Sequence, residues 1–169
     1  MGTRIAVGAL IAALFASAAL AASPSQLILQ KSDLPSGATR LPFKMGKNGT
    51  ATIPKVGRVR FAGALYKAGK NYVGTVAGVF ASSGASTTAF RRFTSSKALK
   101  KFKRVHLPRL GDQQESLGYF SRSINSLLVL VRKGSVVWET SVTRLGGESR
   151  ARAVADLTAY ARKQKARVD

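Results

Sequence analysis

One histidine, His106, stands six residues before Asp112, and this is the nearest the chain comes to a general base with an orienting carboxylate. Both lie in a Pro/Gly-containing segment, "HLPRLGDQQES", where proximity along a loop does not assemble a pocket. A solvated histidine just after a basic helix explains His106 as well. There is no cysteine, so a thiolate metal site, a cysteine nucleophile, a disulfide framework and lipid attachment at cysteine are all excluded. One histidine and seven scattered acids do not make a metal site. No Gly-x-Ser-x-Gly elbow occurs, and "GALYKAGKN" misses the spacing and the hydroxyl residue of a phosphate loop. The expectation is a non-enzyme with no cofactor.

The residues that do carry a signal are cations. "FRRFTSSKALKKFKRV", residues 90 to 105, holds seven Lys or Arg and no acid. Between Asp33 and Asp112, 78 residues contain 16 Lys or Arg and neither Asp nor Glu. These charges lack partners in their own segment, and the formal net charge of the chain is +21. Such a surface repels itself and attracts polyanions over a Debye length of ~8 Å at physiological salt. The candidate polyanion-binding residues are Lys97, Lys100, Lys101, Lys103 and Arg104, helped by Arg91, Arg92, Arg58 and Arg60. The competing reading is a solvated helix face that binds nothing.

The elements that must position these side chains follow from periodicity. Residues 23 to 31 read as a short helical or extended lead-in anchored by Leu27, Ile28 and Leu29, and "SDLPSG" ends it. Residues 38 to 55 read as a loop with at most one irregular strand, in which Asn48-Gly49-Thr50 is a turn that also matches a glycosylation sequon. "RVRFAGALY" and "NYVGTVAGVF" alternate with period two about Ala68-Gly69-Lys70 and predict a hairpin. Gly63, Gly74 and Gly78 inside it suggest bulges or close packing. Two helical pieces are predicted over 85 to 94 and 96 to 105. Ala98, Leu99, Phe102 and Val105 of the second face the sheet, and its lysines fill the opposite side.

Three strands then follow: "LGYFSRS", "SLLVLVR" and "SVVWETSVTR". The second is apolar on both faces and should be central, with Lys133-Gly134 turning into the third. A helix from about 148 to 167 closes the chain on a stripe of Ala153, Val154, Leu157, Tyr160 and Ala161. The predicted fold is α+β, a mainly antiparallel sheet of about five strands with helices packed on it.

Residues 1 to 21 read as a signal peptide. Arg4 supplies a positive start, Ile5 to Leu20 is an apolar run, and Ala19-Leu20-Ala21 is a small-x-small cleavage site. A retained anchor is the alternative, because the run approaches the ~18 to 20 residues that span a bilayer. Cleavage leaves 22–169 as one exported domain with a formal charge of about +20.

"SDLPSG", "LPRLGDQQE" and "LLVLVRKGSVVWETSV", followed by a terminal helix, resemble small exported actinobacterial cell-envelope proteins and the extracytoplasmic sensor domains of certain Ser/Thr kinases. Those proteins often carry a lipidated cysteine or a disulfide, and this chain has neither. The resemblance implies a secreted or extracytoplasmic binding module. With the charge, it predicts a module for anionic cell-envelope polymers or lipid headgroups, extracellular nucleic acid being a further polyanion of the same chemistry. The alternative is a sensor or carrier that binds a small apolar ligand between sheet and helices, with Trp138 and Tyr119 lining the cleft.

Overall fold

The computed structural model describes residues 23–43, 49–146 and 149–169. The signal-peptide reading and Asn48 lie outside the described residues. Two 3-10 turns, Pro24–Gln26 and Lys31–Asp33, form the lead-in. They precede β1 (Thr39–Leu41), β2 (Gly49–Ile53), β3 (Gly57–Ala68) and β4 (Asn71–Phe80). Helix α1 (Ser83–Thr94), a 3-10 turn (Lys97–Lys101) and β5 (Lys103–Arg104) come next. Then follow β6 (Gln113–Phe120), β7 (Ile124–Lys133), β8 (Val136–Leu145) and α2 (Arg150–Val168).

The α+β class holds, but the sheet has eight strands among the described residues and not about five. Its order is β1-β3-β4-β8-β7-β6-β5, β2 also pairs with β3, and each recorded pairing is antiparallel. Three strands account for the difference. The 38 to 55 segment, read as a loop with at most one irregular strand, instead places two, β1 and β2, end to end along the outer edge of β3. The second predicted helix is only one 3-10 turn. Phe102 is extended, β5 joins β6, and Val105 N–H donates to Ser116 O at 2.9 Å. The pairing supplies hydrogen bonds that a free-standing basic helix would take from itself, and it overrides the helix propensity of Lys, Ala and Leu. In the same way "QQES" belongs to β6 and not to a loop.

The hairpin register runs without interruption from Val59↔Phe80 to Ala68↔Asn71, so Gly63, Gly74 and Gly78 mark no bulge. Gly63 instead makes room for a ring. A Cβ there would stand 2.5 Å from Phe43 Cε1. The turn uses Gly69 at φ +62°, a conformation most side chains resist.

Each face of the sheet has its own core. On one, the lead-in and α2 cover Ala62, Ala64, Val73, Leu127, Val129 and Trp138. Leu29 is pinned from both sides, its N–H donating to Thr75 Oγ1 at 3.1 Å and its carbonyl accepting from Tyr66 OH at 3.0 Å. Burial raises the Tyr66 phenol above its ordinary pKa. Helix α2 lies close because Ala153 and Ala161 flank Leu157, all fully buried. Gln164 follows on the same stripe, accepting from Thr140 Oγ1 at 2.6 Å and donating to Val76 O at 3.0 Å. Val154 and Tyr160, expected on the stripe, are only partly buried at its margin.

The opposite face packs Val59, Val76, Phe80, Leu128, Leu130 and Val137 under Phe90 and Phe93 of α1 and under Leu99 of the following turn. Helix α1 starts on Ser82, whose Oγ accepts from Ala85 N–H at 3.1 Å, satisfying a donor that the first turn leaves open. β7 is buried on both faces as predicted, since Leu127 through Val131 are each at most 3% exposed. It sits between β6 and β8, one place from the middle of the sheet.

Candidate functional site

The cations fall into two groups. Lys97, Lys100 and Lys101 project from the 3-10 turn, held in place by Leu99 beneath and by the Ser96 cap. Lys103 projects from β5 on the outermost edge of the sheet. Arg91 and Arg92 are exposed on α1, just before this turn in the chain. Arg91, Arg92, Lys97, Lys100 and Lys101 decorate the layer that covers one sheet face, while Lys103, level with Gly118 and alternating with Phe102, projects toward the other face at that edge. Arg58 and Arg60 do not join them. Arg60 pairs with Val79 in register and shares the side of β3 that carries Ala62 and Ala64, toward the lead-in and α2. Arg58, two residues earlier, follows the same alternation.

Ion pairing separates the cations further. Among the described residues there are six acids, and five are held by a base. Asp33 binds Arg167 at 2.8 Å, Asp112 binds Arg132 at 3.0 Å, and Glu115 binds Arg104 at 2.9 Å. Asp156 binds Arg144, and Asp169 receives both Lys133 and Lys165. Those two lysines hold the Asp169 carboxyl below its ordinary range. Arg104, a predicted contact, is thus engaged in the sheet by Glu115, its neighbour across β5 and β6. Arg92 spends part of its guanidinium on Pro54 O at 2.9 Å. Arg91, Lys97, Lys100, Lys101 and Lys103 are exposed and enter no ion pair with the described residues.

His106 and Asp112 both line a shallow, open groove of about 620 Å³ beside β5 and β6. The Asp112 carboxylate is already committed to Arg132 and to Gly134 N–H, the latter at 2.8 Å, so it does not orient the imidazole. Arg109 in that groove donates to Gly111 O and Asp112 O and shapes its own loop. Among the described residues no group of three or more His, Asp or Glu could hold a metal ion. The pair Trp138 and Tyr119, expected to share a cleft, lie on opposite sides of the sheet. Trp138 is fully buried under α2, and Tyr119 is 43% exposed on the α1 side near β5.

Two residues take places that the sequence did not disclose. Tyr119 is the large hydrophobic side chain left exposed among the described residues, and its ring lies 6.2 Å from that of Phe102, the residue that joins Lys101 to Lys103 in the chain. The other is Glu139, the sixth acid. It is 2% exposed, its β4 and β7 neighbours in register are Val76 and Leu130, and Oε2 has no hydrogen-bond partner among the described residues. Burial pushes its carboxyl up to about 8, opposed by a hydrogen bond from Ser141. The signal was available as a single acid inside the apolar run "VVWETSV", on the face opposite Trp138.

No protein-family model matches the chain, and no curated protein matches it. Among solved structures, the extracellular domain of PknH from Mycobacterium tuberculosis is similar, with a TM-score of 0.54 at 11% identity. The match covers 86% of this chain and 97% of that one. At this identity the likeness is one of fold: the α+β arrangement built here from Thr39 to Val168 is shared with an extracellular domain.

Proposed function

We propose that the chain is an extracytoplasmic, non-enzymatic module that holds anionic envelope material on the cationic surface of α1, the 97–101 turn and β5. One observation carries the reading. Five of the six described acids are consumed by bases, while Arg91, Lys97, Lys100, Lys101 and Lys103 stay exposed and outside those pairs. A protein with so few acids could have spread them among these lysines. Instead four of them tie α2, β7 and β8 to the rest of the fold, Glu115 takes Arg104 alone, and the local field at the turn stays strongly positive.

The extracytoplasmic location rests on the leader-like residues 1 to 21 and is supported by the fold shared with an extracellular domain. Material recovered outside the cell is expected to begin at Ala22 or Ser23. An intact Met1 found by N-terminal sequencing of the membrane fraction would make the segment an anchor.

The function itself is tested by changing Lys97, Lys100, Lys101 and Lys103 together to Gln. Wild type is expected to be retained by an envelope fraction from its own host and to elute late in a salt gradient. The variant should elute early with an unaltered melting curve, because exposed charges contribute little to stability. Coincident elution of the two proteins would overturn the reading.

A further inference from the structure

Tyr119 gives the cationic surface an apolar point of contact, and its surroundings say which kind of anion would use it. The residue sits on β6 beside β5, where Gly118 is paired with Lys103. Its ring contacts Phe102, whose chain neighbours are Lys101 and Lys103, and the rings meet at 55°. Phe102 is only partly buried and packs its inner side on the core that contains Leu99 and Leu117. Three residues after Tyr119 the β6–β7 turn exposes Arg122. A single aromatic side chain, 43% exposed, thus packs on the residue that follows Lys101, on the sheet face of the 97–101 turn, whereas Lys103, level with Gly118, projects to the other face at the same edge.

Burying that ring in a protein core was open to this fold, since Leu117 two residues earlier on the same strand face is 7% exposed. Binding a single nucleic-acid strand calls for successive aromatic platforms, one for each stacked base. Here one large hydrophobic side chain is exposed among the described residues. A bilayer surface asks for something different. Tyrosine prefers the interfacial zone, with its ring among acyl chain ends and its hydroxyl at headgroup level. Lysines around it keep their ammonium groups at the phosphates while their methylene stems lie lower. Each cation near an anionic leaflet adds about 1 kcal/mol, decaying over a Debye length.

Resting on the function proposed above, we infer that the partner of this surface is an anionic lipid headgroup layer, and that Tyr119 is its interfacial anchor. The contact is peripheral. One ring and a handful of cations give reversible binding that falls with salt and requires both the charge and the apolar layer.

The test compares three probes on the wild-type chain, Tyr119→Ala, and the four-lysine variant. They are phosphatidylcholine vesicles containing about one third phosphatidylglycerol, soluble polyphosphate, and oligothymidylate. Wild type should sediment with the anionic vesicles. Tyr119→Ala should weaken this on the order of five- to tenfold, in line with the apolar area it withdraws, and leave polyphosphate binding unchanged. The four-lysine variant should weaken both. A Tyr119→Trp variant adds a readout that folding defects do not imitate. Its emission should shift to the blue with anionic vesicles and not with polyphosphate, over the constant contribution of the buried Trp138. If Tyr119→Ala sediments like wild type, or weakens oligothymidylate binding while sparing vesicles, the lipid inference falls and the polyanion reading stands. If the four-lysine variant binds all three probes as wild type does, the polyanion reading falls as well.

Discussion

Arg167, in the last turn of α2, meets Asp33, 134 residues earlier, through Nε at 2.9 Å and Nη2 at 2.8 Å to the same carboxylate oxygen. That oxygen also accepts the Gln30 N–H at 2.7 Å, and Lys163 Nζ donates to the Asp33 carbonyl at 2.6 Å. One acid therefore closes a turn of the lead-in and fastens it to the C-terminal helix. Asp33→Ala should cost about 1 to 3 kcal/mol, because the pair is partly shielded and a cap is lost with it. Asp33→Asn keeps an oxygen for the turn but not the charge, and should cost less. Urea melts check both. Equal and negligible losses would mean that Leu27, Ile28 and Leu29 hold the lead-in without help.

β7 separates two cores, and truncations on its two sides report on each. Leu127, fully buried, faces α2; Leu130, also fully buried, faces α1. Leu127→Ala and Leu130→Ala should each cost about 2 to 5 kcal/mol through lost burial and the cavity left behind. A loss under ~0.5 kcal/mol at Leu130 would show that α1 does not cover that face in solution.

Glu139 makes stability depend on pH in a direction opposite to that of a paired carboxylate. Its pKa is raised from 4.5 to about 8 in the fold, with burial the main cause. The folded state therefore keeps a proton between those values that the unfolded chain has released. Below pH 4.5 the group costs no ionisation penalty; from 4.5 to 8 stability falls as pH rises, and above 8 the loss levels off. Glu139→Gln removes the titration. The variant should match wild type near pH 4 and exceed it at pH 9 by roughly 3 to 5 kcal/mol, at about 1.4 kcal/mol for each pH unit between the unfolded and folded pKa values. A gap between the two proteins that stays constant from pH 4 to 9 would contradict this account.

What could be read from the sequence, and what could not, divides along physical lines. β4 and β7 announce themselves through the runs "NYVGTVAGVF" and "SLLVLVR", because strands with both faces covered are mostly apolar, and β8 shows in the alternation of Val136, Trp138, Thr140 and Val142. Helices α1 and α2 show in the spacing of Phe90 and Phe93 and of Ala153, Leu157 and Ala161. The missed strands are edge segments. β1, β2 and β5 are three, five and two residues long, and the long partners β3 and β6 impose their extended shape. Lys103-Arg104 carries no periodic signal of its own. The exposure of Lys97, Lys100, Lys101 and Lys103 was legible from composition, whereas the capture of Arg104 by Glu115 depends on the register of β5 against β6. The place of Arg60 turned on which side of the hairpin each helix would cover, and alternation alone leaves that choice open.

The same four lysines give the cation surface a number. Duplex DNA serves as a generic polyanion, because its affinity for a basic surface falls linearly on a log–log plot against salt by about 0.9 for each phosphate contacted. Leu99 holds the 97–101 turn on the core and pairing with β6 holds β5, so replacing Lys97, Lys100, Lys101 and Lys103 by Gln removes charge and little else. Full contact by all four predicts a slope roughly three to four units shallower in the variant. Changing Arg58 to Gln should have a smaller effect on the same measurement, since that residue lies on the side of β3 away from the turn. A slope that responds to Arg58 and not to the lysines would place the contact on the opposite side of the sheet. A slope that responds to neither would leave the positive field with no anion bound at these positions.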